Sequence, residues 1–333
     1  SICPKSSKER YQMAQIAIIG TGVIGTGWVA RLLVNGHQVN AWDPSEGFGK
    51  KLKKDIDLLW PILKKTGKLS EELKFNLKIC DSLGEACEDA NIIQESAPED
   101  INIKRSVHHD IEENSPNDAL IVSSSSGLLP TNIQEGLKFP ERFAIGHPFN
   151  PVYILPLVEV VGGKLTSQST IESLRDFYES IKMHPLIVRN EIEGYLSDRL
   201  QEAQWREILH LVNDDIATTR ELDEAIMYGP GLRWAIMGTC LTFHLAGGKT
   251  GMRHMLEQFG PALELPWTKL KAPKLTNDLI EKMVSGTSEQ AGEKSVKELE
   301  KLRDECLIEI LQALKKFNVG AGNYLQTCCE EKI

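Results

Sequence analysis

The stretch Gln15–Asp43, QIAIIGTGVIGTGWVARLLVNGHQVNAWD, decides the fold of this chain. Its first residues, QIAII, are apolar after the opening glutamine, which predicts a short buried strand over 15–19. A helix is predicted over 25–35 and ends before Gly36, because glycine is common just past a helix C-terminus. A second strand is predicted over 38–42. Together these elements predict the first unit of an open α/β sheet.

The glycines of the turn, Gly20, Gly22 and Gly25, have the G-x-G-x-x-G spacing of a dinucleotide-binding loop. Gly20 permits the tight turn, Gly22 lets the backbone approach a pyrophosphate, and Gly25 allows close packing of helix and strand. Asp43 ends the second strand, where a carboxylate can bond both ribose hydroxyls and repels a 2′-phosphate. A glycine-rich turn of another kind would leave Asp43 unexplained. We therefore predict NAD rather than NADP, bound by Gly20, Gly22, Val23, Ile24, Gly25 and Asp43.

Strand and helix signals continue to about residue 190 and predict a Rossmann-type, doubly wound N-terminal domain. Amphipathic and apolar patterns predict helices over 46–66, 70–78 and 101–113, and strands over 90–94 and 119–122. Ligands of such sheets gather at the carboxyl ends of strands, where Glu99 and the serine run 123–126 follow. Ser126 could also be a helix N-cap, a position that serine fills well, and its residue type alone leaves both roles open.

A second informative stretch is Phe143–Gly163, FAIGHPFNPVYILPLVEVVGG, in which a proline-containing turn joins two apolar runs. Glu159 lies inside the second run, and a strand that is apolar on both faces has no solvent side. Because an unpaired buried carboxylate is costly, Glu159 needs a partner, and His147 is the obvious candidate. A carboxylate that holds an imidazole in one tautomer makes it a better general base. The alternative is a solvent-facing glutamate and a histidine that caps the turn.

Strand signals stop near residue 190, which predicts an NAD-binding domain over 1–190 and an all-α domain over 191–333. Arg233 and Trp234 follow a Gly-Pro-Gly turn in this second domain. An arginine can grip a small carboxylate with two parallel hydrogen bonds, although a surface arginine stacked on its neighbour is the alternative. Aromatic faces attract quaternary ammonium groups, so Trp234, Tyr195 and Phe243 are candidate substrate contacts.

Composition and charge exclude several classes of partner. The net charge is −9 and no Lys/Arg cluster stands apart from acidic neighbours, which argues against nucleic acid and anionic membranes. No apolar run approaches the ~20 residues of a membrane span. The seven cysteines form no CxxC pair and no Cys/His metal spacing. We therefore expect reduced thiols in a cytoplasmic protein without a metal site.

Five segments of the chain resemble, in order and spacing, the 3-hydroxyacyl-CoA dehydrogenase superfamily. They are GTGVIG, QESAPED, the serine run, HPFNPVYILPLVEV and EGYLSDRL. Within the superfamily the likeness is greatest to the branch that acts on carnitine, through GPGLRWAIMGTCLTFHLAGG and GMRHMLEQFGPALELPW. The branch of L-gulonate 3-dehydrogenase and lambda-crystallin looks next nearest. In the superfamily the helical domain completes the active-site cleft and forms a homodimer.

The resemblance implies a role for individual residues. His147 matches the catalytic histidine and Glu159 the acid that orients it. Ser126 matches the serine that bonds the substrate hydroxyl, and Asn150 an asparagine that helps to hold the active site. Two further residues match positions near the nicotinamide ribose: Glu99 and Lys104.

One position departs from the acyl-CoA enzymes, which have an asparagine near the substrate where this chain has Asp198. A carboxylate there is unwelcome to an anionic substrate and welcome to a cationic one. We therefore expect an NAD-dependent oxidoreductase that oxidises the 3-hydroxyl of carnitine to 3-dehydrocarnitine, with His147 as general base. The alternatives are an L-gulonate 3-dehydrogenase, a 3-hydroxyacyl-CoA dehydrogenase or a crystallin-like structural protein. The presence of both His147 and Glu159 speaks against the last.

Overall fold

A computed structural model describes residues 14–64, 69–214, 216–234, 237–268 and 276–318. The chain forms two compact units that divide between Gln201 and Glu202. The described part of the first unit contains a sheet with flanking helices, whereas the described part of the second is helical. The expectation of a Rossmann-type domain followed by an all-α domain is confirmed.

The sheet has eight strands in the order β3-β2-β1-β4-β5-β6-β7-β8. Neighbouring strands are parallel except for β6 and β7, which pair antiparallel. The strands are β1 Gln15–Ile19, β2 Gln38–Trp42, β3 Leu77–Ile79, β4 Ile92–Glu95, β5 Leu120–Ser123, β6 Phe143–Pro148, β7 Leu157–Val161 and β8 His184–Val188.

The helices follow the periodic segments of the sequence. In the first unit they are α1 Val23–Val34, α2 Phe48–Leu63, α3 Leu83–Cys87, α4 Ile101–Asn114, α5 Pro130–Gln134 and α6 Gln168–Ser180. The next helix, α7 Ser197–Asn213, spans the division between the units. The second unit continues with α8 Thr219–Met227, α9 Pro230–Trp234, α10 Thr239–Ala246, α11 Met252–Phe259, α12 Asn277–Ala291 and α13 Val296–Phe317. Among the described residues, none of these helices combines the length and apolar character that a membrane span requires.

Helices cover both faces of the sheet, so its central strands are buried on both sides, as parallel strands usually are. Ile16 and Ile18 of β1 lie in one core with Trp28 of α1. Ala17 and Ile19 point to the other face, where the core also contains residues of α3, α4 and α5.

The helix predicted over 70–78 is wrong. A 3-10 helix covers Glu71–Asn76, and Leu77–Ile79 then pairs with β2 as an edge strand. Leu77 and Ile79 alternate with an exposed lysine, a period-2 pattern that the sheet edge satisfies. The pairing with β2 therefore overrides the helical pattern. The helix predicted over 46–66 is observed as α2, which ends at Leu63, and residues 65–68 lie outside the described part of the chain.

Candidate active site

The antiparallel pairing of β6 with β7 places His147 directly opposite Glu159. Directly opposed residues of two strands project from the same face of the sheet, close enough for their side chains to meet. The His147 Nδ1 atom lies 2.9 Å from Glu159 Oε2, within hydrogen-bond distance. The structure thus brings together the two residues that the sequence pairs, and it does so through strand register.

Glu159 is fully buried, but its carboxylate is well satisfied. Its second oxygen, Oε1, accepts hydrogen bonds from the backbone N–H groups of Leu196 and Ser197, both at 3.0 Å. Burial raises the pKa of Glu159, whereas the hydrogen bonds from His147, Ser197 and Leu196 lower it. The hydrogen bonds have the larger effect, so the pKa lies below its usual value. An ionised carboxylate can only accept, so Nδ1 of His147 carries the proton and Nε2 has the free lone pair.

The other nitrogen of the imidazole faces a second carboxylate. His147 Nε2 lies 3.7 Å from Oδ2 of Asp198, which stands in the first turn of α7. The ring also packs against Phe149 and Tyr195, with ring centroids 5.3 and 5.5 Å away. Tyr195 is fully buried and its hydroxyl donates to the Leu128 carbonyl at 2.7 Å. This burial argues against an aromatic face of Tyr195 turned toward the substrate and for a supporting contact to His147.

A cavity of about 230 Å³ opens at the carboxyl ends of the parallel strands. Its lining joins the dinucleotide loop, the ends of β4, β5 and β6, and the imidazole: Ile24, Ser96, Ala97, Glu99, Ser124, Ser126, His147 and Pro148. The structure therefore places the predicted residues Ile24, Glu99, Ser126 and His147 around one space.

The serine run is fixed by Glu99. The Oε1 atom of Glu99 accepts from Ser125 Oγ at 2.5 Å and from the backbone N–H groups of Ser126 and Gly127 at 3.1 Å. Ser126 is not a helix cap, because the next helix begins at Pro130. The residue lines the cavity instead.

Glu95 is a buried residue of this region that the sequence pattern did not reveal. Its carboxylate accepts from Lys104 Nζ at 2.8 Å, from Ser123 Oγ at 2.5 Å and pairs with His108 Nε2 at 2.9 Å. Burial raises the pKa of Glu95, but the contacts with His108 and Lys104 lower it to about 2. The available signal was the spacing of Lys104 and His108, which lie four apart on one face of α4.

Lys104 itself is almost completely buried. Besides Glu95, its ammonium donates to the Ala97 carbonyl at 3.0 Å and lies 3.6 Å from Glu99 Oε2. From the buried side, Lys104 therefore supports the segment that contains Glu99. This burial argues against a direct contact of Lys104 with the nicotinamide ribose.

The glycine loop fits a bound dinucleotide. Gly20 has φ +92, and a Cβ there would lie 2.7 Å from the Ser96 carbonyl oxygen, so only glycine suits this turn. At Gly22 a Cβ would meet no atom of the described chain within 4 Å, which leaves open space beside the loop. No side chain caps α1 at Gly22, so its first N–H groups can receive a pyrophosphate. Val23, next in the loop, is 72% exposed.

Asp43 lies beside this loop. Its Oδ2 atom accepts from the Thr21 N–H at 2.7 Å, and Oδ1 accepts from the Ser45 N–H at 2.9 Å. Burial raises the pKa of Asp43, and the hydrogen bonds from Ser45 and Thr21 outweigh this effect and lower it. The group is therefore a fixed negative charge at the end of β2, which suits ribose hydroxyls and disfavours a 2′-phosphate.

Four predicted site residues lie elsewhere. Asn150 is exposed on the β6–β7 connection, joined to Pro151 by a cis peptide bond, and is not part of the cavity lining among the described residues. Arg233 and Trp234 end α9, and Phe243 lies on α10, all in the second unit. Trp234 and Phe243 are 44% and 46% exposed. Their contact with a substrate stays a prediction.

The sheet order, the glycine loop, the ionised Asp43 and the imidazole at the cavity define a dinucleotide-dependent dehydrogenase. Residues 15–192 match the NAD binding domain of 3-hydroxyacyl-CoA dehydrogenase, and residues 194–294 match the C-terminal domain of the same enzyme. The chain therefore belongs to the 3-hydroxyacyl-CoA dehydrogenase family. The predictions of this family and of NAD as cofactor are confirmed.

The chain is also similar to curated proteins over nearly its whole length. It is 52% identical to an L-carnitine dehydrogenase of Bacillus cereus over 94% of this chain and 96% of that protein. It is 50% identical to an L-carnitine dehydrogenase of Pseudomonas putida over 93% of this chain and 97% of that protein.

Solved structures share the fold. The structure of FHMPC 5-dehydrogenase, an NAD+ dependent dismutase, has a TM-score of 0.71 at 25% identity, covering 91% of this chain and 99% of that one. A 3-hydroxyacyl-CoA dehydrogenase of Archaeoglobus fulgidus has a TM-score of 0.65 at 21% identity, covering 90% and 99% of the two chains. The second likeness shows the fold alone.

Proposed function

We propose that this chain is an NAD-dependent dehydrogenase that oxidises the 3-hydroxyl of carnitine to 3-dehydrocarnitine, with His147 as general base. The observation that supports carnitine as the substrate is the sequence similarity to L-carnitine dehydrogenases. The chain is 50–52% identical to two of them over 93–94% of its length. The geometry supports the chemistry, because an imidazole with a free Nε2 lies at a cavity shared with the dinucleotide loop.

The proton follows a short path in this proposal. Glu159 holds the Nδ1–H bond of His147, so the lone pair of Nε2 points away from β7 and can accept the proton of the substrate hydroxyl. The imidazolium then has a carboxylate on each side, Glu159 at 2.9 Å from Nδ1 and Asp198 at 3.7 Å from Nε2. Such acid–base assistance typically contributes about 10²–10⁴-fold in rate. Ser126 would hold the hydroxyl from another side of the cavity.

NAD, when bound, accepts the hydride that leaves C3 of the substrate. The residues that would hold it are the loop glycines Gly20, Gly22 and Gly25, with Asp43 at the adenosine ribose. Ile24 and Glu99 line the cavity and would lie against the nicotinamide end. Lys104 and Glu95 keep the Glu99 segment in place from the buried side.

The charges around the cavity favour a cationic substrate. Asp198 and Glu99 are partly exposed carboxylates at this site, whereas the cation of Lys104 is buried and paired with Glu95. Carnitine carries a trimethylammonium group, which such carboxylates attract. In the second domain Arg233 would take the carboxylate, and Trp234 and Phe243 would offer aromatic faces to the ammonium.

We further propose that the protein is a cytoplasmic homodimer. Helix α7 presents exposed apolar side chains on one face at the i, i+4, i+7 spacing, with Trp205 51%, Leu209 49% and Val212 37% exposed. A contiguous apolar stripe on a helix is the kind of surface that a second copy covers. Size-exclusion chromatography with light scattering decides this point, and a monomeric mass at micromolar concentration would exclude it.

The substrate is tested by comparing carnitine, L-gulonate and 3-hydroxybutyryl-CoA with the purified protein. NADH formation is followed by absorbance, with NAD and with NADP. We expect the highest kcat/KM for carnitine with NAD. No turnover of carnitine at high concentration, or a higher kcat/KM for gulonate, would refute the proposed substrate, and equal use of NADP would refute the role of Asp43.

A further inference from the structure

Arg31 is a buried cation whose hydrogen-bond partners, within the described segments of the chain, include no carboxylate. It is 7% exposed on α1, two turns after the dinucleotide loop. Its guanidinium donates instead to backbone carbonyls of Val152, Leu155, Ile181 and Lys182, at 2.7 to 3.2 Å. Burial lowers its pKa. Burying a charge is costly unless its donors are satisfied, so these carbonyls make the position tolerable.

The carbonyls belong to two segments that frame the catalytic pair. Val152 and Leu155 lie on the connection between β6 and β7, which follows His147 and precedes Glu159. Ile181 and Lys182 lie between α6 and β8, the strand that pairs with β7. Close packing accompanies these bonds, because a Cβ on Gly27 of α1 would lie 2.9 Å from Val152 Cβ.

The same helix also reaches the cavity. Ile24, in the first turn of α1, lines it together with His147 and Pro148. Trp28, one turn further along, donates through Nε1 to the hydroxyl of Ser124 at 3.1 Å. Ile24 and Arg31 are seven residues apart, about 10 Å along a rigid helix. The position of the dinucleotide loop relative to the imidazole therefore depends on where α1 is held.

We propose that Arg31 is a positioning residue that locks the helix of the dinucleotide loop to the β6–β7 connection and so sets the distance between the cofactor and His147. This proposal rests on the proposed dehydrogenase function. The planar fork of a guanidinium can satisfy carbonyls of two segments at once, whereas the compact ammonium of a lysine cannot reach both. Displacements of about 1 Å at a reacting pair can lower a rate about 10²-fold.

The chain offers a matched control in Arg142. This arginine is 5% exposed in the same unit and also donates to backbone carbonyls, those of Pro116, Ala119 and Glu112. It precedes β6, at the opposite end of that strand from His147. Arg142→Met therefore removes a comparable structural contact without touching the β6–β7 connection.

The test compares Arg31→Met, Arg31→Lys and Arg142→Met for thermal stability, NAD affinity by calorimetry, and kcat per folded protein. We expect Arg31→Met to lose about 10²-fold in kcat with NAD affinity near that of the wild type. Arg31→Lys should lose less and carries the test if the methionine variant does not fold. Arg142→Met should lose stability and keep its kcat. Equal kcat values for the folded Arg31 and Arg142 variants would overturn the proposal.

A second readout needs no turnover. Hydrogen exchange of peptides covering residues 149–156 should be faster in the Arg31 variants and unchanged in Arg142→Met. The amides of Ile154 and Leu155 bond to the Pro151 carbonyl in the native chain and report on this segment. Unchanged exchange there would overturn the locking role. If the wild type does not oxidise carnitine, the function proposed above fails, and the exchange experiment still decides whether Arg31 holds the segment.

Discussion

Glu95 on β4 and Glu159 on β7 are both fully buried, and each has a carboxylate oxygen 2.9 Å from a histidine nitrogen. The surroundings of the second ring nitrogen differ between the two histidines. Nε2 of His147 faces Asp198 at the cavity, whereas Nδ1 of His108 is buried and has no hydrogen-bond partner within the described part of the chain. A buried Glu–His pair is therefore not a catalytic signature by itself.

The two pairs also differ in charge. The buried ammonium of Lys104 lies beside the Glu95 carboxylate and balances its charge. No ammonium or guanidinium accompanies Glu159 among its hydrogen-bond partners in the described residues, and its charge remains available to a protonated His147. The Glu95–His108 pair, neutralised by Lys104, therefore holds the Glu99 segment in place, while the Glu159–His147 pair can respond to a proton that arrives from the cavity.

The largest expected effect is that of His147→Ala on turnover. Removing the imidazole takes away the proton acceptor, so kcat should fall about 10²–10⁴-fold. NAD affinity should change little, because the glycine loop and Asp43 are untouched. Steady-state kinetics and calorimetry measure both quantities. If the variant retains most of its kcat, His147 is not the general base and the His147–Glu159 pair is not catalytic.

Glu95→Gln should act on stability instead. Breaking one partner of a buried charge pair costs about 3–5 kcal/mol in the free energy of unfolding. In this variant Lys104 loses its buried counter-ion and keeps only the more distant, exposed Glu99. The native pKa of Glu95 is about 2, below the ordinary value of 4.5, so its contribution is present above pH 4.5 and is lost as the pH falls toward 2. Denaturant unfolding at several pH values should show a shallower acid dependence in the variant. If the free energy of unfolding falls as steeply with decreasing pH in the variant as in the wild type, the structural role of the ionised Glu95 is contradicted.

Much of this arrangement could be predicted from the sequence. The glycine loop, the strand over 15–19 and the end of the second strand at Asp43 are local patterns, and the structure reproduces them. Glu159 stood out because a charge interrupts an apolar run. The pairing itself depends on strand register, which turns a separation along the chain into direct opposition across β6 and β7.

The remaining features are not local. Glu95 ends the short strand β4, IIQE, where a carboxylate at the strand end is ordinary, so only the distant Lys104 and His108 reveal its burial. Arg31 looks like the basic residue that often ends a helix, and its carbonyl partners lie more than 120 positions away. The edge strand β3 was missed because its pairing with β2 decides its conformation.

The smallest expected effect concerns Asp198, the partly exposed carboxylate beside Nε2 of His147. Asp198→Asn should lower kcat/KM for carnitine about 2- to 5-fold, chiefly through KM, because a partly exposed charge attracts a cation weakly. Added salt should raise KM of the wild type more than that of the variant. Kinetics at two ionic strengths measure this difference. An unchanged KM with the same salt dependence would show that Asp198 does not act on the substrate charge.

The most direct test of the comparison is to measure kcat and the midpoint of thermal unfolding for Glu159→Gln and Glu95→Gln side by side. A neutral amide at 159 cannot stabilise the imidazolium of His147, so kcat should fall about 10²-fold, the lower end of what acid–base assistance contributes. Glu95→Gln should have the larger loss of thermal stability and the smaller loss of kcat per folded protein. The same ranking of the two variants in both measurements would contradict the division between a catalytic and a structural Glu–His pair.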